Sequence, residues 1–235
     1  MMMVGSVLNK MINLERIVIG TGDKNILITA GIHGDEPSGV YACREFIESY
    51  SKEYLQQFRF TIYPCCNQSG FANDNRFNLN GIDLNRDFTE MPITDEVIAI
   101  QKSLRDGPSN YLFVMDLHED NPLRIVNGFS DIPNGFYIYE SHRPGSLHIG
   151  PEIISKVQHY FPICHNPAIY GDTNNGGIID TQTNTPDQGA FEQFVFDNYS
   201  GSVITTETIA SWPMRNRIDA QITAILAALE LAKKV

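Results

Sequence analysis

The chain alternates between two kinds of hydrophobic block. Some are short apolar runs bounded by turn residues, which predict buried strands; others are longer and place apolar residues every three or four positions, which predicts helices. ERIVIG and KNILITAGI are strands of the first kind, joined by the turn TGDK. PSGVYACREFIESYSKEYLQQF starts near a proline and sets Val40, Cys43, Phe46, Ile47 and Tyr50 at helical spacing. RFTIYPCC is a strand stopped by Pro64. TDEVIAIQKSLRD is a helix with an N-cap threonine. YLFVMDLHED is a buried strand ending in a burst of charge, and GFYIYE is a further strand. PEIISKVQHYF and AFEQFVFDNY read as helices, GSVITTETIA as a strand, and RIDAQITAILAALELAKK as a closing amphipathic helix. NQSGFANDNRFNLNGIDLNRDF is left as a long Asn- and Gly-rich loop of the kind that carries function, and TNNGGIIDTQTNTPDQG as a second loop.

Strands alternating with helices, and strands apolar on both faces, predict an α/β fold with a mostly parallel sheet covered on both sides. The 235 residues suit one domain spanning 1–235. In such sheets ligands bind beyond the carboxyl ends of the strands. Three predicted strands end in unusual polar residues there: LITAGIHGDE, FVMDLHED and VITTETIA.

Composition narrows the function. Hydrophobic residues make up 42% and charged residues 19%, an ordinary balance for a soluble domain. A formal net charge of −11 disfavours nucleic acid and anionic membranes as partners. Cys43, Cys65, Cys66 and Cys164 form no CxxC motif and are read as reduced, buried thiols. No run is long enough to span a membrane, and the N-terminal residues lack the pattern of a secretory signal, so the expectation is a cytoplasmic protein.

The polar strand ends carry the chemistry. A catalytic zinc ion takes three His or carboxylate ligands and keeps a fourth position open. His33 and Glu36, three residues apart on one turn, can share an ion, and His118 at a second strand end completes the set. Glu207, at a third, is the residue type that takes a proton from an attacking water. H-x-x-E alone is weak, since a histidine after a strand is commonly hydrogen-bonded structure. The joint occurrence at strand ends is what singles these residues out. In the long loop, Arg76 and Arg86 beside Asn85 read either as surface charge or as an anion-binding pocket. Glu119 and Asp120 read either as tuning groups or as an exposed acidic pair, and Arg124 as a further candidate substrate contact or plain surface charge. His142, His148, His159 and His165 show no ligand spacing and are read as surface or packing residues.

Taken in order, AGIHGDEPSG, NRFNLNGIDLNRDF, DLHED and TTETIA resemble the zinc carboxypeptidase family. The likeness is greatest to its shorter microbial branches, near the murein-peptide amidases and the succinylglutamate desuccinylase/aspartoacylase group, and runs from about Ile26 to the C-terminal helix. The resemblance implies an α/β/α sandwich around a mixed, mostly parallel eight-stranded sheet, and one Zn2+ per chain held by His33, Glu36 and His118. It implies that Asp83 hydrogen-bonds the far nitrogen of His33. Arg76 would stabilise the oxyanion, Asn85 and Arg86 would hold the substrate carboxylate, and Glu207 would activate water and then protonate the leaving amine. The implied reaction is hydrolysis of the amide next to a free carboxylate in a peptide or murein-type peptide. Deacylation of N-acyl-amino acids stays open as an alternative, as does a non-catalytic binding module on the same scaffold. Two departures stand out. The tyrosine that digestive members carry about twenty residues before the catalytic glutamate is missing from DTQTNTPDQGAF, and the residue at the floor of the specificity pocket falls loosely at Phe191 or Glu192.

Overall fold

The computed structural model describes residues 14–121, 132–181 and 188–235. Arg124 and part of the loop DTQTNTPDQGAF lie outside the described residues. The strands are β1 (Ile17–Ile19), β2 (Lys24–Ala30), β3 (Phe58–Tyr63), β4 (Asn110–Asp120), β5 (Tyr137–Ser141), β6 (Ala168–Ile169), β7 (Asp172–Thr173), β8 (Ile178–Asp180) and β9 (Ser200–Ile209). The helices are α1 (Pro37–Glu45), α2 (Gln68–Ala72), α3 (Asp95–Arg105), α4 (Gly150–Val157), α5 (Phe191–Asn198) and α6 (Met214–Ala232).

The main sheet runs β1-β3-β2-β4-β9-β5-β8. Its β3-β2, β2-β4, β4-β9 and β5-β8 pairings are parallel, and β1-β3 and β5-β9 are antiparallel. The sheet is therefore mixed and mostly parallel, as expected, but with seven strands among the described residues rather than eight. β6 and β7 have two residues each and form a separate pair outside this sheet. β8 lies inside TNNGGIID, which the sequence leaves as a loop, because three residues after two glycines give too little alternation to read. The turn TGDK joins β1 to β2 as expected, but the two strands are not neighbours in the sheet. β1 pairs with β3, through Ile17↔Ile62, and β3 lies between β1 and β2.

Each central strand is apolar on both faces, and alternate residues feed two cores. Ile26 and Ile28 of β2, Phe113 and Met115 of β4, and Ile204 of β9 pack under α1, α4 and α6. Leu27, Val114 and Val203 pack on the other face under α3 and α5. The Thr94 hydroxyl caps α3 by accepting from the N–H of Val97, as its sequence predicts. All four cysteines are free and buried. No described helix is long and apolar enough to cross a membrane.

The long loop is built by its own asparagine and aspartate side chains. Oδ1 of Asn67 accepts from Gly70 N at 2.9 Å, and Oδ1 of Asn78 accepts from the N–H groups of Asn80 and Ile82. Asp87 accepts from the N–H groups of Ile93 and Thr94. Side chains that mimic backbone turns let so long a connection hold a fixed shape.

Candidate metal centre and active site

The stretch after β2 is shaped by two glycines. Gly31 adopts φ +64°, a left-handed conformation that turns the chain out of the strand. A Cβ on Gly34 would fall 2.0 Å from the carbonyl carbon of Gly70, so only glycine lets this turn touch the loop that carries Arg76. Glu36 then stands at the N-cap of α1, with Pro37 at its first position. His33 and Glu36 consequently sit one turn apart, both buried, at the carboxyl end of β2.

His118 reaches the same place from β4, and the parallel register sets Glu207 of β9 opposite it. Nδ1 of His33 lies 2.7 Å from one oxygen of Glu36, and Nδ1 of His118 lies 2.8 Å from the other. The three ligand atoms of His33, Glu36 and His118 all lie within 4.8 Å of one another. The far nitrogens are held by carboxylates. Nε2 of His33 is 3.1 Å from Asp83, and Nε2 of His118 is 2.9 Å from Asp116. Such partners fix the tautomer, leaving both Nδ1 atoms to face the shared point. Asp116 was not singled out in the sequence. Its signal was the D-x-H spacing within one strand, which puts both residues on one face. Its other oxygen accepts from the Thr29 hydroxyl at 2.7 Å.

Arg76 is anchored by its Nε to Asp83 at 3.0 Å and sets Nη1 at 3.3 Å from Nδ1 of His33. Asn85 is buried and spans toward α5: Oδ1 accepts from Phe191 N at 2.8 Å, and Nδ2 donates to Glu192 at 3.4 Å. Arg86 is exposed at the rim. Together with the tyrosines Tyr137, Tyr139 and Tyr170, these groups line a cavity of about 750 Å3. Glu192 faces that cavity, whereas Phe191 is buried in the core against Phe88.

Glu119 and Asp120 are not an exposed pair: they are 3% and 9% exposed. Glu119 accepts from Ser38 N and from Arg217, tying β4 to α1 and α6. Asp120 accepts from the hydroxyls of Tyr137 at 2.7 Å and Tyr170 at 2.8 Å, so it fixes part of the cavity wall.

The electrostatics separate the carboxylates. Burial alone would raise the Glu36 carboxyl, but the imidazoles of His33 and His118 outweigh it and hold it well below the usual range. Asp83 is likewise low: burial opposes ionisation, and the His33 hydrogen bond, its charge and Arg76 override it. Burial works against a charged His118, yet Asp116 and Glu36 raise its pKa. Glu207 goes the other way. Burial pushes it well up, the carboxylates of Glu36, Asp120 and Glu192 push further, and His118 opposes them. Its Oε2 is buried with no hydrogen-bond partner among the described residues. Burial raises Asp120 and Glu192 on the same cavity wall as well, so the carboxyls around the cavity are raised while Glu36 and Asp83, paired with histidine, are lowered.

Comparison with known proteins bears on the family and the fold. The family model of the succinylglutamate desuccinylase/aspartoacylase catalytic domain matches residues 22–124, which include His33, Glu36, Arg76, Asp83 and His118. No curated protein matches the sequence. Among solved structures, a suggested metallopeptidase from Shewanella amazonensis SB2B superimposes with a TM-score of 0.74 at 22% identity, covering 92% of this chain and 81% of that one. The tripeptide-bound cell shape determinant Csd4 of Helicobacter pylori gives 0.69 at 20%, covering 93% of this chain and 55% of that one. A metallo-carboxypeptidase from Burkholderia cenocepacia gives 0.65 at 14%, covering 94% and 61%. At these identities the structural likeness is one of fold. These matches agree with the family resemblance carried by the motifs, and the fold is that of the metallo-carboxypeptidase-like neighbours.

Proposed function

We propose that this protein is a zinc-dependent amidohydrolase of the metallocarboxypeptidase type, acting on the amide next to a free carboxylate of a peptide or murein-type peptide. One observation carries the reading. Two imidazoles and a carboxylate converge on one point at the strand ends, and the buried, unpartnered Oε2 of Glu207 belongs to the residue paired opposite His118. His33, Glu36 and His118 fit a divalent ion of the zinc kind: three donors of mixed nitrogen and oxygen type, both imidazoles oriented by carboxylates, and an open cavity on the remaining side. A bound zinc ion supplies Lewis acidity, polarising the scissile carbonyl and acidifying water.

The chain's own side chains do the rest. Glu207 takes the proton of the attacking water as the carbonyl carbon gains its new C–O bond. Arg76, fixed by Asp83, offers N–H donors to the oxygen that becomes negative. Glu207 then hands its proton to the amide nitrogen as the C–N bond breaks, and its raised pKa suits that second task. Arg76 and Arg86 are the only Arg or Lys side chains on the cavity wall among the described residues, which restricts where a substrate carboxylate can rest. The match of residues 22–124 favours a second reading with the same chemistry, deacylation of N-acyl-amino acids.

The test is amine release by the zinc-loaded protein from short peptides, murein peptides and N-acyl-amino acids, beside Glu207→Gln. The variant is expected to keep zinc and lose about 10²–10⁴-fold in kcat. Failure of every amide substrate, or a near-normal rate in Glu207→Gln, overturns the reading.

A further inference from the structure

We propose that Glu140, His142 and His148 form a second divalent-cation site, on the face of the sheet opposite the catalytic cavity. Along β5, Tyr137, Tyr139 and Ser141 line the cavity. The alternation of strand side chains turns Ile138 and Glu140 to the other face, where Ile138 joins the core beneath α4. Glu140 is 1% exposed, and its two oxygens have different surroundings. Oε1 accepts from the N–H groups of Ile149 at 2.7 Å and Gly150 at 3.1 Å, capping the first turn of α4. Oε2 is buried, makes no hydrogen bond of acceptable geometry, and stands 3.0 Å from Nε2 of His148. Nδ1 of His142 is also buried without a hydrogen-bond partner among the described residues. The three ligand atoms lie within 4.8 Å of one another, and the two imidazoles stack with centroids 4.6 Å apart.

A helix cap explains Oε1 only. An ion pair with His148 accounts for Oε2 but leaves Nδ1 of His142 buried and unsatisfied, which costs free energy with no return. A cation held by one atom of each residue accounts for the cluster, with Oε2 of Glu140 and Nδ1 of His142 the buried atoms left free to bind it. The space around Oε2 also depends on residue 150: a Cβ there would fall 2.5 Å from this oxygen. Two imidazoles and one carboxylate select borderline cations such as Zn2+ or Ni2+ over Ca2+ or Mg2+. The amides bonded to Oε1 hold the carboxylate in place, as partners of metal-ligating carboxylates do. The His148 side chain is 52% exposed, which opens the cluster to solvent and gives an ion a way in.

Zinc stoichiometry of the full chain tests the site. Protein stripped with chelator is titrated with Zn2+ against a chromophoric competitor, and bound zinc is read by elemental analysis. Wild type is expected to take two equivalents. His142→Ala and His148→Ala should each take one, and so should His33→Ala, which removes the other ion; combining His33→Ala with His142→Ala should leave none. Glu140→Gln keeps an oxygen for the α4 cap, so its loss of one equivalent in a chain with native circular dichroism separates ligand loss from unfolding. A single equivalent in the wild type that His33→Ala abolishes, or a second one indifferent to His142→Ala and His148→Ala, overturns the proposal. Failure of the catalytic reading has a different mark, a single equivalent in the wild type that His33→Ala leaves in place and His142→Ala removes.

Discussion

Asp116→Asn is the most informative single substitution at the candidate metal centre. Asp116 is fully buried, takes the Thr29 hydroxyl on one oxygen at 2.7 Å, and meets Nε2 of His118 on the other at 2.9 Å. Asparagine has the same shape but only one oxygen. If that oxygen turns to His118, the amide NH2 faces Thr29, whose hydroxyl can accept as well as donate. Geometry then survives and only charge is lost. Charge-assisted bonds are roughly twice as strong as neutral ones, a difference of about 1–1.5 kcal/mol here, which is about tenfold in affinity. If the amide turns the other way, an N–H faces the N–H of Nε2, the tautomer that frees Nδ1 is opposed, and the loss approaches the ~100-fold upper range for such partners. Zinc affinity should thus fall between about 10- and 100-fold. Competition against a chromophoric chelator measures it, with the urea midpoint as a check that the fold is intact. An affinity within twofold of wild type, in a folded variant, would show that Asp116 does not set the orientation of His118.

Three further outcomes are expected. Arg86→Ala should raise KM for substrates with a free carboxylate with little change in kcat, and should make no difference for the same substrates amidated at that end; steady-state kinetics on the two series compares them. The native thiols should resist a disulfide reagent, since all four are buried and burial pushes Cys65 up to about 11 and Cys66 well above its ordinary value; four should react once the chain is unfolded, and a fast-labelling native thiol would contradict the packing. Phe60→Ala should cost about 3–5 kcal/mol in a urea titration, because the ring is fully buried among Phe46 and Phe58 in the core under α1.

The parts of the site that the sequence made legible are those whose logic is local. His33 and Glu36 share a turn fixed by glycines and a proline, and their apolar strand announces where that turn begins. His118 and Glu207 could each be placed at a strand end. What could not be read is that β4 and β9 are neighbours, because the sheet order that joins them depends on long-range packing. The same limit explains Glu119 and Asp120. Their burial rests on Ser38 and Arg217, and on Tyr137 and Tyr170, partners that lie far along the chain. It also explains Glu140 and the two histidines beside it. Helix α4 folds back over β5, and that packing alone brings His148 to Glu140.

The sheet order also accounts for the shape of the candidate site. β2, β4 and β9 run parallel, so their carboxyl ends bring His33, His118 and Glu207 to one edge. β5 then runs antiparallel to β9, which places the start of β5 at that same edge, with Tyr137 paired to Glu207. The reversal matters chemically. A further parallel strand would have brought another carboxyl-end loop and its polar groups to Glu207. The antiparallel strand brings instead the beginning of an apolar run, with the buried ring of Tyr137 beside Glu207. Burial is the largest influence raising the Glu207 carboxyl, and Oε2 has no hydrogen-bond partner among the described residues. An oxygen left wanting a hydrogen bond, next to a cavity open to solvent, is where an attacking water is best received. The direction of a single strand therefore helps separate Glu207 from Glu36: the buried Glu36 is driven to be an anion between two imidazoles, whereas the half-buried Glu207, set against Tyr137, has its carboxyl raised.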